Sequence, residues 1–262
     1  MTSPFREGER VLLLDRKGRR YLITLAAGSS FHSHAGWFGH DDLIGAEEGT
    51  EVRSTAGARY VAVRPTLSDF VLKMPRGAQV IYPKDLGQIL VLADVFPGAR
   101  VLEAGVGSGA LSMTLLRAGA EVYGYEVRED FAARARANVE SFLGTDSARR
   151  FHVADKDVYE GIAESGLDRI VLDLPEPWRV VPHAGGALRP GGLLVSYVPT
   201  ISQAAQLRET LDGAPFVQSE TLEVLLRTWH VEGRSVRPDH RMVAHTGFIT
   251  HARFIGREEP TG

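Results

Sequence analysis

The sequence predicts an α/β fold, a mostly parallel sheet flanked by helices, with a small β domain ahead of it. Three observations carry this. Beyond Leu67, strand-length apolar runs alternate with helix-length stretches, the pattern of repeated βα units. The first of those runs opens into alternating glycines and then a helix, at Val101-Leu102-Glu103-Ala104-Gly105-Val106-Gly107-Ser108-Gly109-Ala110. Residues 1–72 have a different texture, short strands broken by turns.

In residues 1–72, strands at 10–15 and 20–25 flank the turn Arg16-Lys17-Gly18-Arg19, and further strands lie at 51–54 and 59–64. They make a small barrel-like or sandwich-like domain. Helices at 67–74 and 83–95 lead into the second domain, residues 73–262. Its strands are expected at 100–103, 122–126, 150–154, 169–172 and 193–198. Helices fill the gaps at 110–118, 128–142, 156–164, 177–188 and 201–211. Two long apolar segments then follow, 220–231 and 245–255, with no helix-length gap between them. The sheet therefore ends in a hairpin, with one strand antiparallel to the rest. The tail 256–262 is expected to fray.

Composition narrows the function without naming it. At 262 residues and 44% hydrophobic content, the chain can bury one large core and a small one. No apolar run approaches the roughly 20 residues of a membrane span, and the N-terminus lacks a signal-peptide layout. The absence of cysteine excludes disulfides, thiolate metal sites and cysteine nucleophiles. A net charge of −3 weighs against nucleic acid as a partner. Residues 1–84, however, carry 12 Lys/Arg against 9 Asp/Glu, so the acidity lies in the remainder.

The glycine loop points to a nucleoside ligand. Glycines let the backbone turn sharply and lie close against a bound group. Glu126 follows the last of them by seventeen residues and ends the next strand, where it can accept two hydrogen bonds from a ribose diol. A dinucleotide loop would carry its third glycine one residue later, and Glu103 before the first glycine would repel a pyrophosphate. An acid there suits S-adenosylmethionine, whose sulfonium and ammonium groups are cationic. Backbone groups of Gly105, Gly107, Ser108, Gly109 and Ala110 are expected to contact its amino-acid part, and Glu126 its ribose.

Two further acids end strands. Asp155 closes Phe151-His152-Val153-Ala154, where it either accepts from the adenine amino group or caps the following helix. Asp173 begins Asp173-Leu174-Pro175-Glu176-Pro177-Trp178, a loop stiffened by two prolines. It either faces the transferable methyl group or caps the helix near Pro177. Enzymes that methylate exocyclic amino groups of bases typically carry two consecutive prolines and an aromatic here. The separated prolines, and the absence of cysteine, leave a ring nitrogen, an oxygen or a small molecule as acceptor.

The chain as a whole resembles the tRNA (adenine-58-N1)-methyltransferases of the bacterial and archaeal single-subunit type. The marks are Gln79-Val80-Ile81-Tyr82-Pro83-Lys84-Asp85, Glu103 through Gly109, Asp173 through Trp178, Tyr197-Val198-Pro199-Thr200-Ile201-Ser202-Gln203 and His245-Thr246-Gly247-Phe248. The resemblance implies the seven-stranded Rossmann-like sheet of class I methyltransferases. It also implies a cytoplasmic homotetramer that methylates adenosine 58 of the tRNA T-loop, and it places Ile81 against the cofactor. Pro175 departs from relatives, which often carry a bulkier residue there.

On this reading Asp173 accepts from the exocyclic amino group of adenine and stabilises the positive charge that develops at N1. The target base must leave its stack, so an aromatic to receive it is expected. Tyr82 is the first candidate and Tyr197 the second; the alternative for each is a core aromatic with a satisfied hydroxyl. The basic run Arg16-Lys17-Gly18-Arg19-Arg20, with Lys73, Arg76 and Lys84, either serves the RNA or is ordinary solvated turn charge. Alternatives are a small-molecule or protein methyltransferase, or a non-catalytic subunit. The histidines His32, His34 and His40, with Asp41 and Asp42, suggest a metal only superficially, because methyl transfer from a sulfonium needs none; no metal is expected.

Overall fold

A computed structural model describes residues 3–77 and 79–256. The chain divides into two compact units, Met1–Pro75 and Arg76–Gly262. The expected fraying beyond Gly256 falls outside the described residues.

The first unit contains β1 (Arg10–Asp15), β2 (Arg20–Thr24), β3 (Ser30–Ser33), β4 (Gly36–Gly39), β5 (Glu51–Arg53), β6 (Arg59–Val63) and helix α1 (Leu67–Lys73). Four strands make an antiparallel sheet in the order β2-β1-β6-β5, and β3 pairs with β4 in a separate hairpin. That hairpin was not expected, because Phe31 and Phe38 stand alone among Ser, His and Gly and give no alternation. Both rings are buried, 5.4 Å apart, in the core with Val11, Leu13 and Tyr60. The histidines have ordinary partners: His32 stacks on Trp37, His34 meets Arg19, and His40 Nδ1 accepts from the Ala26 amide. The basic run is partly neutralised, since Arg19 pairs with Asp15 and Arg20 with Asp69.

The second unit runs α2 (Pro83–Leu92), β7 (Arg100–Ala104), α3 (Ala110–Arg117), β8 (Glu121–Tyr125), α4 (Glu129–Leu143), α5 (Thr145–Ala148), β9 (Phe151–Ala154), β10 (Leu167–Leu172), α6 (Val181–Ala187), β11 (Leu188–Val198), α7 (Ile201–Asp212), β12 (Phe216–Glu223), β13 (Trp229–Glu232), β14 (Ser235–Pro238) and β15 (Phe248–Phe254). Its sheet has seven strands in the order β12-β15-β11-β10-β7-β8-β9. The strands from β7 to β11 pair in parallel, and β15 is antiparallel to both its neighbours. Strands β7 and β10 are buried on both faces (Leu102, Ala104, Ile170 and Leu172 on one, Val101 and Val171 on the other), which explains their nearly unbroken apolar runs. The order reverses at β7, so a crevice opens at the carboxyl ends of β7 and β10.

Three expectations are corrected. Residues 156–164 form no helix: Asp157 Oδ1 accepts from the Tyr159 amide at 2.9 Å, Gly161 takes φ 142°, and the Glu164 carboxylate is held by the Tyr125 hydroxyl. Side-chain bonds to local backbone compete with a helix in this way. The expected helix 177–188 is a 3-10 turn, Pro177–Val180, followed by α6, and Leu188 already belongs to β11. The expected strand 220–231 is split, with β12 ending at Glu223 and β13 pairing with β14 around Gly233 (φ 55°).

Candidate active site

The carboxyl ends of five strands bring the candidate residues together. The chain leaves β7 through Gly105, at φ 82°, where a Cβ would lie 2.1 Å from the Asp173 carbonyl oxygen. Only glycine lets the loops after β7 and β10 touch. Two residues on, Gly107 has φ 56° and nothing within 4 Å of where a Cβ would stand, so its outer face is open. Gly109 is the N-cap of α3 and no side chain caps that end, leaving the first amides of the helix, from Ala110 onward, without intrahelical acceptors. Ser108 is buried, and its carbonyl accepts from Asn138 Nδ2 at 3.0 Å.

Glu126, immediately after β8, is held by two backbone donors. The Gly107 amide reaches Oε2 at 2.9 Å and the Arg128 amide reaches Oε1 at 3.0 Å. Each oxygen keeps a further lone pair, so the carboxylate can still accept. Asp155, after β9, is exposed and borders an open cleft of about 570 Å³ with Tyr125, Val127, Lys156, Asp157 and Ile162. No helix follows Asp155, which removes the capping alternative.

Glu103 is fully buried, and neither carboxylate oxygen has a hydrogen-bond partner of normal geometry among the described residues. Burial pushes its carboxyl up to about 8; the negative charges of Asp173 and Glu126 add to the rise, and Ser112 offsets part of it. A buried carboxylate without a partner is costly. A cationic group in the crevice would relieve it, so the residues present fit S-adenosylmethionine.

Asp173 follows β10 and donates its amide to the Ala104 carbonyl at 2.9 Å, extending the parallel pairing by one residue. The residue is half-buried, and desolvation of its carboxyl pushes it up to about 7. It caps no helix, since the cap position of the next turn is Glu176. The loop beyond it is braced twice: the Pro175 carbonyl accepts from Gln203 Nε2 at 2.8 Å, and the Glu176 amide donates to the Tyr159 hydroxyl at 3.1 Å.

Tyr82 is partly exposed at the N-cap of α2, and the preceding Ile81 is buried. Tyr197, near the end of β11, is 8% exposed. Burial pushes its phenol up to about 12; the Thr246 hydroxyl acts the other way, and Asp85, Asp173 and Tyr82 are close enough to raise it further. Tyr197 thus shares one locality with Asp173 and Tyr82. Lys84 is not the free surface cation expected. Its side chain is 4% exposed and its ammonium is consumed by Asp85, Thr246 and the Val224 carbonyl.

Residues 59–241 match the family described as tRNA methyltransferase complex GCD14 subunit, and residues 4–52 match the TrmI-like N-terminal family. A Thermus thermophilus protein named tRNA (adenine(58)-N(1))-methyltransferase TrmI is 40% identical over 246 residues, covering 93% of this chain and 96% of that protein. The chain belongs to the TrmI family of tRNA (adenine-58-N1)-methyltransferases. Two solved structures extend the match. One, described as an S-adenosylmethionine-dependent O-methyltransferase from Thermotoga maritima, has a TM-score of 0.93 at 32% identity, over 98% of this chain and 97% of that one. The other, TrmI from Aquifex aeolicus, has a TM-score of 0.85 at 28% identity, over 97% and 100%.

Within this TrmI-family chain, Gln203, Asp85 and Thr246 lie in segments that mark the resemblance, yet the sequence assigned none of them a role. Gln203 had a local signal. Thr200-Ile201-Ser202-Gln203 is a capping box, with Thr200 Oγ1 accepting from the Gln203 amide and the Gln203 side chain reaching back to the Thr200 amide. Nothing local announced the contact of Asp85 with Thr246, because they meet across 161 residues.

Proposed function

We propose that this chain transfers the methyl group of S-adenosylmethionine to N1 of adenosine 58 in the tRNA T-loop. The observation that carries the reading is Glu103, a fully buried carboxyl that lacks a normal hydrogen-bond partner among the described residues, beside an open glycine loop and with Asp173 alongside. Membership of the TrmI family supports the substrate. The cofactor, when bound, supplies an electrophilic methyl on a cationic sulfur. Gly105 through Ala110 present backbone to its amino-acid part, Glu103 balances its charge, Glu126 accepts from the ribose, Asp155 from the adenine amino group, and Ile81 packs nearby.

Adenine N1 is a weak nucleophile, and it carries no proton to remove. Asp173 as carboxylate accepts from the exocyclic amino group, pushes electron density toward N1 and stabilises the cationic product. The two loop braces hold it in place, so it need not reorganise during transfer. Tyr82 receives the flipped base by stacking, and Tyr197 forms part of the same acceptor wall.

The same reading includes a cytoplasmic homotetramer, with the N-terminal unit contributing to tRNA contact or assembly. Leu225, Trp229, Val231 and Val236, on and beside the β13–β14 hairpin, are all more than half exposed, more apolar surface than one short hairpin usually leaves to water. The test of function is nucleoside mass spectrometry of an unmodified tRNA transcript incubated with protein and cofactor. The expected product is 1-methyladenosine, lost when position 58 is changed to uridine. A ribose 2′-O-methyl product, or none, would overturn the reading.

A further inference from the structure

We propose that Lys84, Asp85 and Thr246 form a lock that positions Tyr197 relative to Tyr82, and that Thr246 is a positioning residue for methyl transfer. This rests on the functional reading above. The lock joins three parts of the second unit that are distant in sequence. Lys84 Nζ donates to Asp85 Oδ1 at 2.8 Å, to the Val224 carbonyl at 2.6 Å and to Thr246 Oγ1 at 2.6 Å. All three ammonium protons are used. The Thr246 hydroxyl in turn donates to Asp85 Oδ2 at 2.7 Å. Lys84 and Asp85 lie in the first turn of α2, directly after Tyr82. Val224 follows β12, and Thr246 precedes β15.

The next residue makes the connection to Tyr197. A Cβ on Gly247 would stand 2.4 Å from Tyr197 Cζ and 2.7 Å from its hydroxyl, so the backbone there lies directly on the phenol ring. Wherever residues 246–247 sit, Tyr197 must sit too. The lock ties that backbone to the turn carrying Tyr82 and so sets the spacing of the two aromatics.

The chemistry is unusual for a merely structural contact. Asp85 is completely buried and the Lys84 side chain nearly so. A buried ion pair adds little net stability over apolar side chains of equal volume, because desolvation offsets the attraction. What it supplies is direction: three acceptors around one ammonium fix three backbone segments at once. Arginine, a planar fork, cannot reproduce that tripod.

The experiment compares wild type with Thr246→Val, Thr246→Ser and Lys84→Arg. It measures kcat on tRNA transcript, KM for tRNA, cofactor Kd by calorimetry and melting temperature. Thr246→Val is expected to lower kcat at least tenfold while cofactor Kd stays within twofold. Thr246→Ser, which keeps the hydroxyl, should recover kcat to within about threefold, and Lys84→Arg should lose it despite keeping the charge. An unchanged kcat in Thr246→Val would overturn the lock, and so would a fall matched by an equal loss of cofactor affinity. The functional reading fails separately, if wild type itself makes no 1-methyladenosine. The lock would then be judged by a crystal structure of Thr246→Val, where a displaced Tyr197 ring supports it and an unmoved ring overturns it.

Discussion

Glu103 and Asp173 concentrate the chemistry in two carboxyls that burial holds well above their ordinary range, near 8 and near 7. Both raised values mean that the cofactor-free folded protein retains protons that the unfolded chain has already released. Its stability is therefore expected to fall as pH rises from about 4 toward 8. A cationic cofactor favours the ionised forms, so binding at pH 7 should release protons. Calorimetry in buffers of different ionisation enthalpy counts them; Glu103→Gln should release fewer and bind more weakly, and zero release by wild type would contradict the assignment. Glu126, held by two amides, is expected to cost roughly 1–3 kcal/mol of cofactor affinity on replacement by alanine, as for a charged acceptor losing buried hydrogen bonds. An unchanged Kd would show that the ribose lies elsewhere. Glu126 and Asp173 were legible in the sequence because each ends an apolar run, which is what a strand tip looks like, and Glu103 because it is the one acid inside such a run. Their buried or exposed state was not legible, since it depends on which loops fold over them.

At the scale of elements, the contact between the loops after β7 and β10 depends on Gly105. Alanine there would adopt an unfavourable φ and drive its Cβ into the Asp173 carbonyl. The backbone strain alone costs about 1–3 kcal/mol, and the displaced loop carries Asp173 with it. Gly105→Ala is thus expected to lower the melting temperature by several degrees and to reduce methyl transfer more than cofactor binding; a variant with wild-type melting and rate would refute this contact. The strand–helix alternation from β7 to β11 could be read from period alone, because buried parallel strands are apolar throughout. The helix expected at 156–164 was misread because Asp157 bonds its own local backbone. Lys84 was misread for the opposite reason: its partners, Val224 and Thr246, lie 140 and 162 residues away and leave no local trace.

For the whole molecule, the terminal pair of apolar segments announced one antiparallel strand, which is β15, whereas the strand order was not legible, since it depends on which elements pair across long separations. Nor was the β13–β14 hairpin, since its side chains face outward and obey no core pattern. If that hairpin seals a subunit contact, Trp229→Ser with Val231→Ser should leave the second unit folded and yield a smaller species by light scattering. Unchanged mass at micromolar concentration would place the interface elsewhere. The account as a whole depends on Asp173 acting on the acceptor rather than holding the fold or the cofactor. Single-turnover transfer to an unmodified tRNA transcript, followed by nucleoside mass spectrometry, compares wild type with Asp173→Ala most directly. The expected result is 1-methyladenosine at position 58 from wild type and a rate lower by about 10²–10³-fold in the variant, the usual loss for one preorganised electrostatic group, with cofactor Kd changed by no more than a few-fold. A variant that methylates at the wild-type rate, or one that fails only because it no longer binds cofactor, would contradict it.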